Sequence, residues 1–265
     1  MVNEAALYIK ERCGIDKFDV AIVLGSGVEL GEVTLEIPYK DVPGMPLPAV
    51  PGHKGVLKVL KIDRLMVAVF SGRFHYYEGR SNEEIRFIPE LSSLIGCKLF
   101  IATCAVGAVS RRSAFSQLVV VEDHINLIGK NPLTGLVKTY GSEVFVDMKS
   151  VYDRKFIDTF LDCCFENDVP AISGVLAAVH GPNYESFAEI KMLSMLGADV
   201  VSMSTVPEII AAKFYGMKVA AVAVVANDTI DNKTTHEEVL KRVELKNSSL
   251  GNVLKQTLMK LYNYI

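Results

Sequence analysis

Short apolar runs alternate with amphipathic stretches along nearly the whole chain. The apolar runs predict strands at residues 19–24, 56–62, 65–70, 98–102, 117–121, 171–179, 199–202 and 219–226. Apolar residues spaced three or four positions apart predict helices at residues 82–94, 151–166, 187–196, 207–214 and 236–261. Because strands and helices alternate, we expect an α/β fold. We predict a single domain over residues 1–265, with a mixed, mostly parallel central sheet flanked by helices.

Three local features refine this prediction. The strands at 56–62 and 65–70 read as a hairpin that turns at Asp63 and Arg64. Pro89 disfavours one continuous helix over residues 82–94, because proline removes a helical hydrogen bond. Residues 128–150 show no clear periodicity and are predicted to be a loop region.

The charge balance excludes some classes of partner. The chain has 265 residues, with 28 basic and 31 acidic side chains and a formal net charge of −3. Without a basic surplus, nucleic-acid binding is disfavoured. No apolar run reaches the length of a membrane span, and the first residues do not resemble a secretory signal. We therefore expect a cytoplasmic protein with no membrane partner.

The cysteines predict neither disulfides nor a metal site. There are five, an odd number, and Cys163 and Cys164 are adjacent. The sequence has no Cys-x-x-Cys, and its histidines are dispersed, so zinc binding has no support. Cys104 alone lies near a candidate site, where a packing role is expected.

The segment Gly72–Gly79 concentrates chemistry between two glycines. It reads Gly-Arg-Phe-His-Tyr-Tyr-Glu-Gly and follows the predicted strand at 65–70. Open α/β sheets bind ligands beyond the carboxyl ends of their strands. Arg73 offers a planar set of donors that suits phosphate. His75 points to the same side if the chain stays extended. We therefore predict an anion site here.

Three further segments are predicted as phosphate or ligand loops at strand ends. The turn Gly25-Ser26-Gly27 allows backbone N–H groups to approach an anion. Residues 103–107 are small and permit close backbone approach. In residues 203–208, Ser204 or Thr205 precedes a helix with Pro207 in its first turn. That pattern is typical of a helix N-cap, which taken alone is structural, although helix N-termini also favour anions.

Two segments carry groups suited to a heterocycle. Gly181-Pro182-Asn183-Tyr184-Glu185 follows the predicted strand at 171–179. Glu185 either caps the next helix or accepts N–H donors from a base while Tyr184 stacks on it. Asn227 ends the most apolar strand, and its amide either shapes a turn or pairs with a purine edge.

In chain order these segments resemble the trimeric purine nucleoside phosphorylases and their methylthioadenosine phosphorylase relatives. The resemblance covers nearly the whole length. It is carried by residues 72–79, Asp123-His124-Ile125-Asn126 with Asn131-Pro132-Leu133, residues 181–185, and Leu196-Gly197-Ala198-Asp199 leading into residues 203–208. Several such motifs in the family's order are more specific than any one of them.

The resemblance implies phosphorolysis of a purine nucleoside to free base and ribose 1-phosphate. It implies inorganic phosphate as co-substrate, no metal or other cofactor, small-molecule partners and a homotrimer. Phosphate would be bound by Ser26, Arg73, His75, the backbone at Ala105, and Ser204, with His53 on a loop that closes nearby. The ribose would contact Tyr77, Met203 and His236, with Tyr140 reaching in from a neighbouring subunit. The base would contact Tyr184, Glu185 and Asn227, and the catalytic residues would be His75, Glu185, Asn227 and His236.

The identity of the base leaves two enzymatic alternatives. Asn227 favours 6-oxopurine nucleosides such as inosine and guanosine, because the resemblance implies an aspartate at this position in methylthioadenosine phosphorylases. Asp228 and Asp231 lie close by, so activity on methylthioadenosine stays open.

Departures from the family pattern leave a third alternative, a purine-binding protein with weak turnover. Glu29 replaces a glycine after the Gly-Ser-Gly turn, Cys104 replaces an asparagine, and Val106 adds bulk. A hydrolytic nucleosidase is disfavoured because Arg73, His75 and Ser204 are retained.

Overall fold

The computed structural model describes residues 1–24, 28, 30–50, 53–228 and 236–265, without the side chains of 227–228 and 236–245. Within these ranges the strands are β1 Val20–Leu24, β2 Val33–Pro38, β3 Val56–Ile62, β4 Leu65–Ser71, β5 Leu99–Ala108, β6 Leu118–Asn126, β7 Ala171–Ala178, β8 Val200–Ser202 and β9 Lys218–Asp228. The α-helices are α1 Val2–Cys13, α2 Asn82–Leu94, α3 Arg111–Ala114, α4 Val137–Tyr140, α5 Arg154–Glu166, α6 Phe187–Met195, α7 Val206–Phe214 and α8 His236–Lys260. Short 3₁₀ helices cover Tyr39–Asp41, Tyr76–Glu78 and Gly141–Val144.

All of these strands belong to one mixed sheet. Its order is β2-β3-β4-β1-β5-β8-β7-β6-β9, and β9 also pairs with β5. Strands β5, β8, β7, β6 and β9 therefore close into a ring, while β1 to β4 form an open extension. The β1 pairings are parallel, and the β3–β4 hairpin is antiparallel. The predicted α/β fold with a mixed sheet is confirmed.

Helices pack against one another and against the strands of the ring. Helix α2 packs against α1 and α7, and α5 packs against α8. Fully buried aromatic side chains fill the space beneath them, among them Phe18, Phe70, Phe100, Phe156 and Phe160. In the described parts of the chain, no helix combines the length and apolar character needed to cross a membrane.

Strand β5 is longer than its sequence suggested. Residues 103–107, predicted as a loop, lie within β5 and pair in register with β9, from Thr103 opposite Val222 to Gly107 opposite Asn227. Small residues look like a loop in sequence, yet they fit a strand that lies between close neighbours. The prediction that this segment leaves a strand end is therefore wrong.

Two elements carry weak sequence signals. Edge strand β2 has half-exposed and exposed positions that include Glu36, and α1 buries only Ala5, Ala6 and Ile9. Helix α2 runs without interruption through Pro89, which is buried, so the helix predicted over residues 82–94 is confirmed although proline disfavours its continuity. Packing against α1 and α7 outweighs the missing hydrogen bond.

A buried carboxylate joins three parts of the ring. Asp199, just before β8, accepts bonds from Arg112 Nε at 2.8 Å and Nη2 at 2.6 Å. It also accepts from Ser110 Oγ at 2.8 Å and from the Val175 N–H at 3.0 Å. The pKa of Asp199 is low because these bonds outweigh the effect of burial. The carboxylate therefore connects β7, β8 and the turn after β5.

Candidate active site

An arginine and two hydroxyls meet where β4 and β8 end. Arg73 follows β4, and its Nη1 donates to Ser204 Oγ at 3.1 Å and to Thr205 Oγ1 at 3.3 Å. Arg73 and Thr205 are buried, whereas Ser204 is half-buried. We call Arg73, His75, Ser204 and Thr205 the anion cradle. Two of its members lie 131 positions apart in sequence, so the fold itself assembles it.

The two hydroxyls do not cap the helix that follows them. Thr205 occupies the N-cap position of α7 with φ at 72°, and its side chain makes no capping hydrogen bond. Pro207 lies in the first turn, as predicted. Thr205 is therefore the N-cap residue by position, as the pattern predicted, but its hydroxyl does not cap α7; both hydroxyls accept from Arg73 instead.

His75 is held by a neighbouring carboxylate. Its Nδ1 lies 2.8 Å from Glu78 Oε1, and Glu78 also accepts from the N–H groups of His75 at 2.9 Å and Ala49 at 3.0 Å. Burial raises the pKa of Glu78, but these hydrogen bonds outweigh it and bring that pKa to about 2. Burial lowers the pKa of His75. A neutral His75 thus donates from Nδ1 to ionised Glu78, and Nε2 remains as an acceptor.

The ring of His75 stacks between two other aromatic rings. The centroids of His53 and His75 are 5.4 Å apart with an interplanar angle of 30°, and those of His75 and Tyr77 are 4.6 Å apart with an angle of 18°. A Cβ on Gly72, whose φ is 136°, would lie 3.4 Å from the Cβ of His53. A side chain at position 72 would therefore crowd the ring stack.

The segment predicted to bind a base lies against the residues predicted to bind the sugar. Gly181 has φ at 71°, and a Cβ there would overlap the sulfur of Met203. Tyr184 is 41% exposed. Burial, the charge of Glu78 and the nearby Tyr184 together raise the pKa of Tyr77 to about 12, so Tyr184 lies near Tyr77. The structure thus places Met203 against Gly181, three residues before Tyr184, and Tyr184 near Tyr77.

Glu185 is half-buried beside this group. Burial raises the pKa of its carboxyl, and its own backbone N–H opposes that effect. Ser186, not Glu185, is the N-cap of α6, so the capping role considered for Glu185 belongs to its neighbour.

Within β5, Ala105 is exposed, whereas Cys104 and Val106 are buried. Successive strand residues face opposite sides, so Cys104 and Val106 lie on the side away from the exposed Ala105 face. The Cys104 thiol bonds to Ser202 and Thr205, and burial raises its pKa. Cys104 is therefore part of the wall behind Thr205, in line with its expected packing role.

Tyr140 is not brought to the cradle of its own chain. Its ring makes an edge contact with Phe214 at 5.2 Å, at the last residue of α7. Ser204 precedes the first residue of α7, so about 12 Å of helix separates them.

Several predicted residues lie outside the described part of the structure. Ser26 and Glu29 are not described, and Asn227 and His236 are described only as backbone. The backbone of Asn227 pairs with Gly107, and His236 begins α8.

Two carboxylates at the cradle received no role from the sequence. Glu208 Oε2 lies 3.3 Å from Arg73 Nη2, and each of these side chains is 5% exposed. Glu78 partners His75. Glu208 does not stand out in the sequence, because acidic residues are common in the first turn of a helix. The signal that could have identified it is a single acid among the mostly apolar residues of Val206–Phe214. Glu78 stands three residues after His75 on a single turn. No group of three or more His, Cys, Asp or Glu among the described residues could hold a metal ion.

Comparisons with known proteins identify the family of this chain. Residues 19–259 match the model of the phosphorylase superfamily. The purine nucleoside phosphorylase of Mycobacterium leprae is 36% identical over 262 residues, covering 96% of this chain and 94% of that protein. The Schistosoma mansoni enzyme with inosine superposes with a TM-score of 0.89 at 32% identity, and its isoform 2 with cytosine and ribose-1-phosphate superposes with 0.90 at 34%. Both comparisons cover 98% of this chain and 96% of the other. The chain belongs to the phosphorylase superfamily, among the purine nucleoside phosphorylases, which are pentosyltransferases.

Proposed function

We propose that this chain cleaves 6-oxopurine nucleosides such as inosine and guanosine with phosphate. The products are the free base and ribose 1-phosphate. One observation carries the proposal: Arg73, bonded to Ser204 and Thr205, adjoins the group formed by Tyr77, Tyr184 and Met203. An anion cradle beside a partly apolar slot suits a reaction in which phosphate attacks a sugar that carries a flat base.

The anion cradle would position the nucleophile. The phosphate oxygens accept from Arg73, Ser204 and the backbone at Ala105, whose exposure in β5 leaves room for a ligand. His75 accepts a hydrogen bond at Nε2 from the P–OH group of monohydrogen phosphate, because its Nδ1 is committed to Glu78. Within the same proposal, Ser26 adds a hydroxyl and His53 covers the site through the ring stack.

The aromatic slot would hold the nucleoside. Tyr77 and Met203 contact the ribose together with His236, and Tyr184 stacks on the base. Glu185 accepts a hydrogen bond from an N–H group of the base. The amide of Asn227 forms a hydrogen bond with O6 or N7 of the base, on which negative charge develops. In the transition state the bond from C1′ to the base breaks as the bond from phosphate to C1′ forms. Phosphate stabilises the cationic sugar while the base-binding residues stabilise the leaving base.

The proposal includes a homotrimer, with no cofactor beyond phosphate as co-substrate. Tyr140 supports the assembly because it is 39% exposed and lies at the far end of α7 from its own Ser204. A sugar contact from Tyr140 therefore requires a second subunit. Light scattering after gel filtration gives the mass directly. We expect Y140A to raise the nucleoside KM in the assembled trimer.

The test measures release of base from inosine, guanosine, adenosine and methylthioadenosine with and without phosphate. We expect phosphate-dependent release, fastest from inosine and guanosine. Fastest release from methylthioadenosine would replace the 6-oxopurine assignment. Release without phosphate would identify a hydrolase, and tight purine binding without turnover would identify a binding protein.

Two variants separate the halves of the site. R73A should raise the phosphate KM at least about tenfold and leave base affinity nearly unchanged, because it removes charge-assisted bonds to one ligand. E185Q should lower kcat on inosine with little change in phosphate KM. R154A is the matched control, since Arg154 is 71% exposed on α5. Loss of purine affinity in R73A with unchanged phosphate affinity would contradict the assignment.

A further inference from the structure

A buried carboxylate lies beside the arginine of the cradle, and the proposed reaction gives it no role. Glu208 is in the first turn of α7 and is 4% exposed. Its Oε2 lies 3.3 Å from Arg73 Nη2, yet neither atom has a hydrogen-bond partner. The contact is therefore an ion pair without an aligned N–H···O bond.

The geometry of Arg73 leaves hydrogen-bonding capacity unused. Nη1 donates to Ser204 and Thr205, which fixes one end of the guanidinium. Nη2 has no acceptor although the side chain is buried, and such a donor is costly until an acceptor arrives. A ligand oxygen bound to the guanidinium of Arg73 would share it with the carboxylate of Glu208, which lies 3.3 Å from Nη2.

The described groups around Glu208 include little positive charge to offset both its carboxylate and a bound anion. Among the described groups, those that interact electrostatically with Glu208 are Arg73 after β4, Tyr39 before β3 and Cys104 in β5. Burial raises the pKa of Tyr39 and of Cys104, so both are neutral near pH 7. Burial also lowers the pKa of His75, which interacts electrostatically with Arg73. Within this set Arg73 alone carries positive charge, and it would face both Glu208 and a phosphate dianion.

We infer that Glu208 is a positioning residue that holds Arg73 in the empty cradle and takes up a proton when a dianion enters. Burial raises the pKa of Glu208 by more than Arg73 lowers it, and a neighbouring dianion raises it further. A neutral Glu208 removes the repulsion and keeps the side chain's shape. Anion affinity therefore depends on the protonation of a group that does not touch the sugar or the base. The inference rests on the proposed function, since it takes the cradle as the phosphate site.

Sulfate is the probe, because it is a dianion that does not titrate near neutral pH. Calorimetry of the full chain in buffers of different ionisation enthalpy, from pH 6 to 8.5, counts the protons bound with each sulfate. We expect uptake of a fraction of a proton in the wild type, with a maximum inside this range. E208Q should show no uptake and should bind sulfate at least about fivefold more tightly, because a like charge is gone. E36Q, at a 55% exposed carboxylate, should match the wild type.

Each outcome decides the question. Unchanged uptake in E208Q would assign the proton elsewhere and overturn the inference, as would weaker sulfate binding. Absence of uptake in the wild type would overturn it without any variant, so a poorly folded E208Q does not prevent the test. H75Q removes the other titratable ring of the cradle and must retain the uptake. Phosphate-dependent base release, measured alongside, separates this failure from failure of the proposed function.

Discussion

Glu78 accepts hydrogen bonds from three residues, and its replacement tests how much these bonds stabilise the fold around His75. Its two oxygens accept from His75 Nδ1, from the N–H groups of His75 and Ala49, and from Arg80 at 3.2 and 3.3 Å. Its side chain is 4% exposed. In Glu78→Gln the amide nitrogen would face donors, which leaves buried N–H groups unpaired.

The pKa of Glu78 sets the magnitude. At about 1.4 kcal/mol per pH unit, a fall from 4.5 to about 2 corresponds to about 3 kcal/mol. Because the folded pKa lies below the unfolded one, this stabilisation is present above pH 4.5 and is lost as pH falls towards 2. We expect E78Q to lower the free energy of unfolding by about 2–4 kcal/mol at pH 7. We also expect it to lack this part of the acid dependence.

Urea unfolding followed by circular dichroism, at fixed protein concentration and at pH 7, 4.5 and 3, measures both effects. E36Q is the control and should stay within about 0.5 kcal/mol of the wild type at pH 7. An E78Q protein within about 0.5 kcal/mol of the wild type at pH 7, with the same loss on acidification, would refute the reasoning.

Three further substitutions probe the frame around the site by urea unfolding. D199N should cost about 1–3 kcal/mol, because a backbone N–H and the 55% exposed Arg112 lose an anionic partner, and a change under about 0.5 kcal/mol would contradict that role. Y39F should cost about 1–2 kcal/mol by removing a buried 3.0 Å bond to the carbonyl of Gly72; a neutral result would mean that this carbonyl finds water. F160A should cost about 3–5 kcal/mol by opening a cavity between α5 and the ring, and a smaller loss would mean that the site collapses around the gap.

The sequence located most strands because buried β-strands are apolar and short. It failed where the signal depends on a partner that is distant in sequence. Residues 103–107 look like a loop until β9, more than a hundred positions later, pairs with them. By contrast, the helix predicted over residues 82–94 is present as α2 although it contains Pro89, because α1 and α7 pack against it.

The sequence predicts which residue types form the site, but it does not predict the hydrogen bonds and ion pairs between them. Arg73 and His75 stand out because their functional groups crowd into one turn after a strand. The acids that partner them do not, since Glu78 and Glu208 resemble ordinary first-turn residues. Only folding shows that Ser204 accepts from Arg73 instead of capping α7.

Ring closure through β9 has a consequence for how copies of this chain can misassemble. A strand with neighbours on both sides offers no unpaired amides to another molecule. Among the described strands, β2 ends the sheet with one side unpaired, and it carries Glu36 and terminates at Pro38. Charge and proline at an edge both obstruct strand addition. Within the described sheet, aggregation by edge pairing is therefore directed to one poorly receptive border, which β3 separates from β4, the strand that leads into Arg73.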